Sequence, residues 1–127
     1  MLKLVSYPIN SFMAIDTLKT LDIIEVMENF VDKRRPPEHI RPKLDISYRI
    51  EDQSVTIVEV RPKWDNPEII RDHPVAKATF VKAKNYWKVF WLRSDLKWHS
   101  YKPKPTVHSL SEFVNLVDED KYACFWG

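Results

Sequence analysis

A chain of 127 residues whose single glycine stands at the last position must make every internal turn with an L-residue. The positive-φ positions that glycine usually takes then fall to Asn and Asp, which tolerate them best. The same scarcity removes the glycine-rich phosphate cradles: the sequence has no GxGxxG, no Walker A loop and no glycine-based nucleophile elbow. Most nucleotide-dependent enzyme classes are excluded on this ground.

Hydrophobic periodicity supplies the elements. Asp16 is a fair N-cap for a helix running to about Lys33, with Ile23, Met27, Phe30 and Val31 on one stripe. Lys33-Arg34-Arg35 follows where cations complement the helix dipole, and Pro36-Pro37 stops the helix. From 44 to 50 apolar and polar residues alternate strictly, the mark of a half-buried strand. A second strand covers 54–61 and ends at Pro62, and 64–74 reads as a polar loop. Three further strands are expected over 75–83, 86–93 and 96–101, with turns at Lys84-Asn85 and Ser94-Asp95. Residues 102–105 read as an extended linker. Ser109-Leu110-Ser111-Glu112 matches a capping box, and Leu110, Phe113, Val114 and Val117 form the stripe of a second helix. The apolar end, 122–127, is expected to dock on the core.

These elements predict an α+β domain: an antiparallel five-stranded meander sheet with an N-terminal and a C-terminal helix packed on one face. Length fits one domain over 1–127, with 1–14 as a poorly ordered extension. No apolar run approaches the ~20 residues that cross a bilayer, so no membrane partner is expected. The first residues lack the apolar core and cleavage site of a signal peptide. Cys124 is the one cysteine, so no intrachain disulfide can form, and a cytoplasmic location is expected.

Charge is unevenly spread. From 74 to 107 the sole acid is Asp95, set against eight lysines and arginines. Such asymmetry suits an anionic partner, although acidic helices lying beside a basic sheet would produce it as well. With two-residue loops at 84–85 and 94–95, one face of the last three strands carries Ala76, Ala78, Phe80, Trp87, Val89, Trp91, Leu96 and Trp98. That face reads as core. The other carries Lys77, Thr79, Val81, Tyr86, Lys88, Phe90, Leu92, Lys97, His99 and Tyr101, interleaving rings with cations. Bases stack on exposed rings while lysines neutralise phosphates, so this face suits single-stranded nucleic acid or another polyanion. An ordinary solvated sheet, or a face sealed in a homodimer, would have the same composition. A slip of one residue in either turn exchanges the faces.

Catalytic constellations are few. A three-residue loop in the first hairpin would set Asp45 near Glu59, with Arg49 and Arg61 on the same face. Asp45 with Glu59-Val60-Arg61 loosely matches the pattern of metal-dependent nucleases, where two carboxylates hold Mg²⁺ and a lysine positions water. Arg61 stands where that lysine belongs, and arginine cannot give up a proton. Cross-strand pairing with the arginines is the ordinary alternative. The four histidines show no zinc-ligand spacing, and Cys124 in its apolar tail reads as a filler residue. A Cys124–His99 nucleophilic pair has only composition behind it. No metal site and no cofactor are expected. Arg34 and Arg35 form a basic corner able to clamp an anion or to cap the first helix.

Several strings together resemble a small bacterial family known only as a domain of unknown function. They are Arg34-Arg35-Pro36-Pro37 with Ile40-Arg41, Glu59-Val60-Arg61-Pro62-Lys63-Trp64 and Val75-Ala76-Lys77-Ala78-Thr79. The most distinctive are Asp95-Leu96-Lys97-Trp98-His99 and Cys124-Phe125-Trp126-Gly127. The resemblance spans roughly 18–127 and implies a lineage, with no activity, cofactor or catalytic residue attached. The residues alone therefore lead to a non-enzymatic binding domain whose basic aromatic face takes single-stranded nucleic acid. A metal-dependent nuclease using Asp45 and Glu59, or a homodimerising domain, are the other two readings.

Overall fold

The computed structural model describes residues 17–127. The expected extension 1–14 and the Asp16 cap lie outside them. Helix α1 (Thr17–Arg34) buries Ile23, Met27 and Phe30 from the stripe read above, with Val31 half-buried beside them. Strands β1 (Asp45–Glu51), β2 (Ser54–Lys63), β3 (Asn66–Val81), β4 (Tyr86–Leu92) and β5 (Trp98–Ser100) come next in the chain. A short β6 (Thr106–Val107) precedes helix α2 (Leu110–Glu119). The sheet order is β1-β2-β3-β4-β5, an antiparallel meander, with β6 also pairing β4. The α+β meander with its two helices is as expected.

Both helices pack on one face. That face contributes Ile46, Val55, Ile57, Ala76, Ala78, Trp87 and Val89 to a core shared with Met27, Phe113 and Val117. Burial at about 25 cal/mol per Å² of apolar surface holds the layers together. Helix α2 begins at Ser109, whose hydroxyl accepts from the Glu112 N–H at 3.2 Å. It ends at Asp120 in the left-handed region (φ 41), whose N–H bonds to the Leu116 carbonyl. The chain then folds back on itself. The Asp120 carboxylate accepts the N–H groups of Phe125 (3.0 Å) and Trp126 (2.9 Å), and the Trp126 indole donates to the Val117 carbonyl at 2.8 Å. The apolar end thus docks, burying Phe125 against Tyr101 with ring centroids 4.8 Å apart.

Five local features differ from those expected. The first hairpin turns on two residues, Asp52 and Gln53, with Asp52 at φ 53, where three had been expected. The region expected as loop over 64–74 is strand: β2 continues through Pro62 to Lys63, turns at Trp64-Asp65, and β3 begins at Asn66. These residues form a two-stranded ribbon projecting beyond β1 and β4. Where it joins the sheet, Ile57 pairs Ala76 while Val58 pairs Pro74, leaving Val75 as a bulge. The supposed linker 102–105 is an excursion in a paired edge: Tyr101 N–H donates to the Val89 carbonyl and the Pro105 carbonyl accepts from Val89 N–H, both at 2.9 Å.

The remaining two are turns that position the site. The β3–β4 turn spans 82–85 with Val81 opposite Tyr86, two residues longer than expected, so the faces of β3 and β4 stand as read. The β4–β5 turn gains one residue. Leu92 pairs Trp98, and Arg93 N–H reaches the Lys97 carbonyl at 3.2 Å around Ser94-Asp95-Leu96. Leu96 takes the left-handed conformation (φ 62), the third position of a three-residue loop. One extra residue exchanges the two faces of β5 alone.

Candidate nucleic-acid interface

The exchange redraws the open face. Tyr101 moves into the core at 2% exposure, where burial pushes its hydroxyl pKa up. His99 pairs Trp91 in register, which places it on the helix side. Its Nε2 lies 2.8 Å from an Asp95 carboxylate oxygen. That contact, with the Lys97 N–H on the other oxygen, holds the Asp95 carboxyl below its usual range. Leu96 and Trp98 also leave the face that the sequence reads as core. Leu96 is instead 80% exposed at the turn, and Trp98 joins the open face. Lys97 is exposed within the same turn, off the face on which it was expected.

What remains on the open side is contiguous. Lys77 lies between Thr56 and Phe90 in register, Thr79 between Ser54 and Lys88, and Val81 opposite Tyr86. Neither helix covers this side. Lys88 is exposed, and Tyr86, Phe90, Leu92 and Trp98 are half-buried. The Lys77 ammonium sits 5.1 Å from the Phe90 ring centroid and 4.8 Å from that of Trp98. Burial pushes its pKa down, and no carboxylate among the described residues pairs with it. Beside it, Arg49, Ser54, Thr56, Pro74, Lys77 and Trp98 line a shallow basin of about 280 Å³, rimmed by Glu51 and Asp52. The Ser54 and Thr79 hydroxyls bond each other across the floor at 2.7 Å. The arrangement offers flat apolar surface, cations and hydroxyls without an enclosing wall.

The other residues singled out from the sequence are held elsewhere. Arg34 ties the helices together, donating to Asp118 at 2.9 Å and lying over the Trp126 ring at 4.3 Å. Arg35 makes a two-pronged pair with Asp45 (3.1 and 2.7 Å), joining the end of α1 to β1. Partial burial pushes the Asp45 carboxyl up, but the Arg35 and Ile46 hydrogen bonds and the nearby cations outweigh it, leaving the pKa lowered. The expected Asp45–Glu59 pair does not form. The two-residue turn sets Asp45 opposite Val60 and Glu59 opposite Ile46, on opposite faces, and Arg61 lies on the Glu59 side. No group of three metal-ligating side chains occurs among the described residues. Burial raises the Cys124 thiol, which disfavours a thiolate nucleophile. No helix among the described residues is long and apolar enough to cross a membrane.

Trp98 is the site residue that sequence reasoning missed. Its only signal was Asp95, whose side chain can close a turn on the backbone two residues on. Neither a curated protein nor a solved structure matches the chain. The strings noted in the sequence do fall within a family model that matches residues 15–127, and on that match the chain belongs to the family described as a domain of unknown function (DUF3024).

Proposed function

We propose that the protein is a non-enzymatic binding domain whose open sheet face takes single-stranded nucleic acid. The observation that carries this reading is the placement of Tyr86, Phe90 and Trp98 beside Lys77 and Lys88 on the one side that no helix covers, with Arg49 next to them held by Glu51 and Asp72. Each stacked base contributes about 1–3 kcal/mol, and the cations supply a salt-dependent term. Sequence tolerance is expected, because every base presents a π-face to stack. A cytoplasmic setting, supported by the lone cysteine, and a bacterial source, suggested by the family resemblance, belong to the same reading.

Fluorescence polarisation with labelled single-stranded DNA and RNA at two salt concentrations tests it. The expected result is binding that weakens with salt and falls at least about tenfold in Trp98→Ala and in the Tyr86→Ala/Lys88→Ala pair. Absence of binding at low salt, or variants that bind as well as the parent, would overturn the reading. Cleavage of the probe in Mg²⁺ would overturn the non-enzymatic part.

A further inference from the structure

On the projecting β2–β3 ribbon, Arg61 and Arg71 stand directly opposite each other in register. Side chains so paired have Cβ atoms about 4.5–5.5 Å apart, and like charges at that spacing oppose the pairing. Both are exposed, and neither makes an ion pair or a side-chain hydrogen bond among the described residues. The neighbouring charges do not relieve them. Asp72 lies on the other face and pairs with Arg49 at 3.9 Å, and Asp65 holds Lys63 at 3.5 Å. Glu59, two residues from Arg61, stands opposite His73 without bridging to either guanidinium. A repulsive pair is therefore kept on a ribbon that buries little to compensate for it.

We propose that Arg61 and Arg71 form a clamp for one phosphate group. Two arginines at directly paired positions of adjacent strands can turn N–H donors toward neighbouring oxygens of one phosphate, a contact for which arginine is suited over lysine. A bound anion turns the repulsion into two attractions. The clamp goes beyond the single-strand face: alternation along β2 puts Arg61 with Glu59 on the side opposite Thr56 and Lys77. The phosphate can belong to a polynucleotide backbone or to a free phosphate ester, since the chemistry is shared.

The test tracks the arginine Nε–Hε NMR signals of the full chain, titrated in parallel with inorganic phosphate and with a single-stranded oligonucleotide. The expected result is that the Arg61 and Arg71 signals move together and that Arg71→Thr abolishes the shift at Arg61. A response to both probes assigns free phosphate as a ligand, and a response to the oligonucleotide alone assigns the polymer backbone. With the oligonucleotide, Arg71→Thr also lowers the slope of log K against log salt by roughly 0.7, the share of one phosphate. In phosphate-free, low-salt buffer Arg71→Thr melts no lower than the parent, because a repulsion has been removed. Signals unmoved by either probe, or a lower melting temperature for Arg71→Thr, would overturn the clamp. Trp98→Ala separates the two proposals, since it removes the stacking face and leaves the arginine shifts with inorganic phosphate in place.

Discussion

At φ 62, with 80% of its surface in solvent, Leu96 holds a conformation that costs an L-residue about 1–2 kcal/mol and recovers little by burial. Leu96→Gly is expected to raise stability by up to about 1 kcal/mol, read from the urea midpoint, and Leu96→Val to lower it. A pH effect belongs to Asp45. Its carboxyl is more acidic folded than its ordinary value of 3.8, so its contribution is present above that pH and lost as pH falls through the folded value. Asp45→Asn is expected to weaken the protein by about 1 kcal/mol near pH 7, an estimate reduced for partial exposure. The gap between variant and parent should close below about pH 3.8 in melts run across the acid range.

Among the elements, α2 depends on the tail beyond its C-terminus. Asp120 caps the helix with its backbone and gathers two N–H groups of the returning tail with its carboxylate. Asp120→Ala is expected to cost about 2–3 kcal/mol, with exchange of the Phe125 and Trp126 amides accelerating first. The elements differ in how much of them the sequence reveals. Helices α1 and α2 were legible from Ile23, Met27 and Phe30 and from Ser109 with its stripe, because one covered face imposes a period. The outer halves of β2 and β3 were not. From Asn66 to His73 neither side is roofed by a helix, so no alternation is imposed, and the register slips between Lys63↔Asn66 at the Trp64-Asp65 turn and Pro62↔Ile70 beyond it. On the site itself, Tyr86, Lys88, Phe90 and Lys77 were legible because the longer turn at 82–85 preserved parity. His99, Tyr101 and Trp98 were misplaced by the one residue that Leu96 adds. Arg34 found its partner Asp118 84 residues away, a pairing no local pattern announces.

For the molecule as a whole, one long side of the sheet is interrupted. Beyond β4 the boundary is broken into β5, the excursion at 102–105, and β6. The excursion puts two lysines and two prolines into solvent where a flat strand would otherwise run. Proline offers no N–H to a newcomer, and lysine repels a second copy of itself. This boundary therefore works as a stop against templated growth: another chain's strand can find at most two or three consecutive partners before meeting a gap. Replacing Pro103 and Pro105 together with threonine, and Lys102 and Lys104 with serine, is expected to leave the fold of the chain intact and to speed thioflavin-positive fibril formation. That outcome would trace the interruption of this edge to four residues that contribute almost nothing to the core.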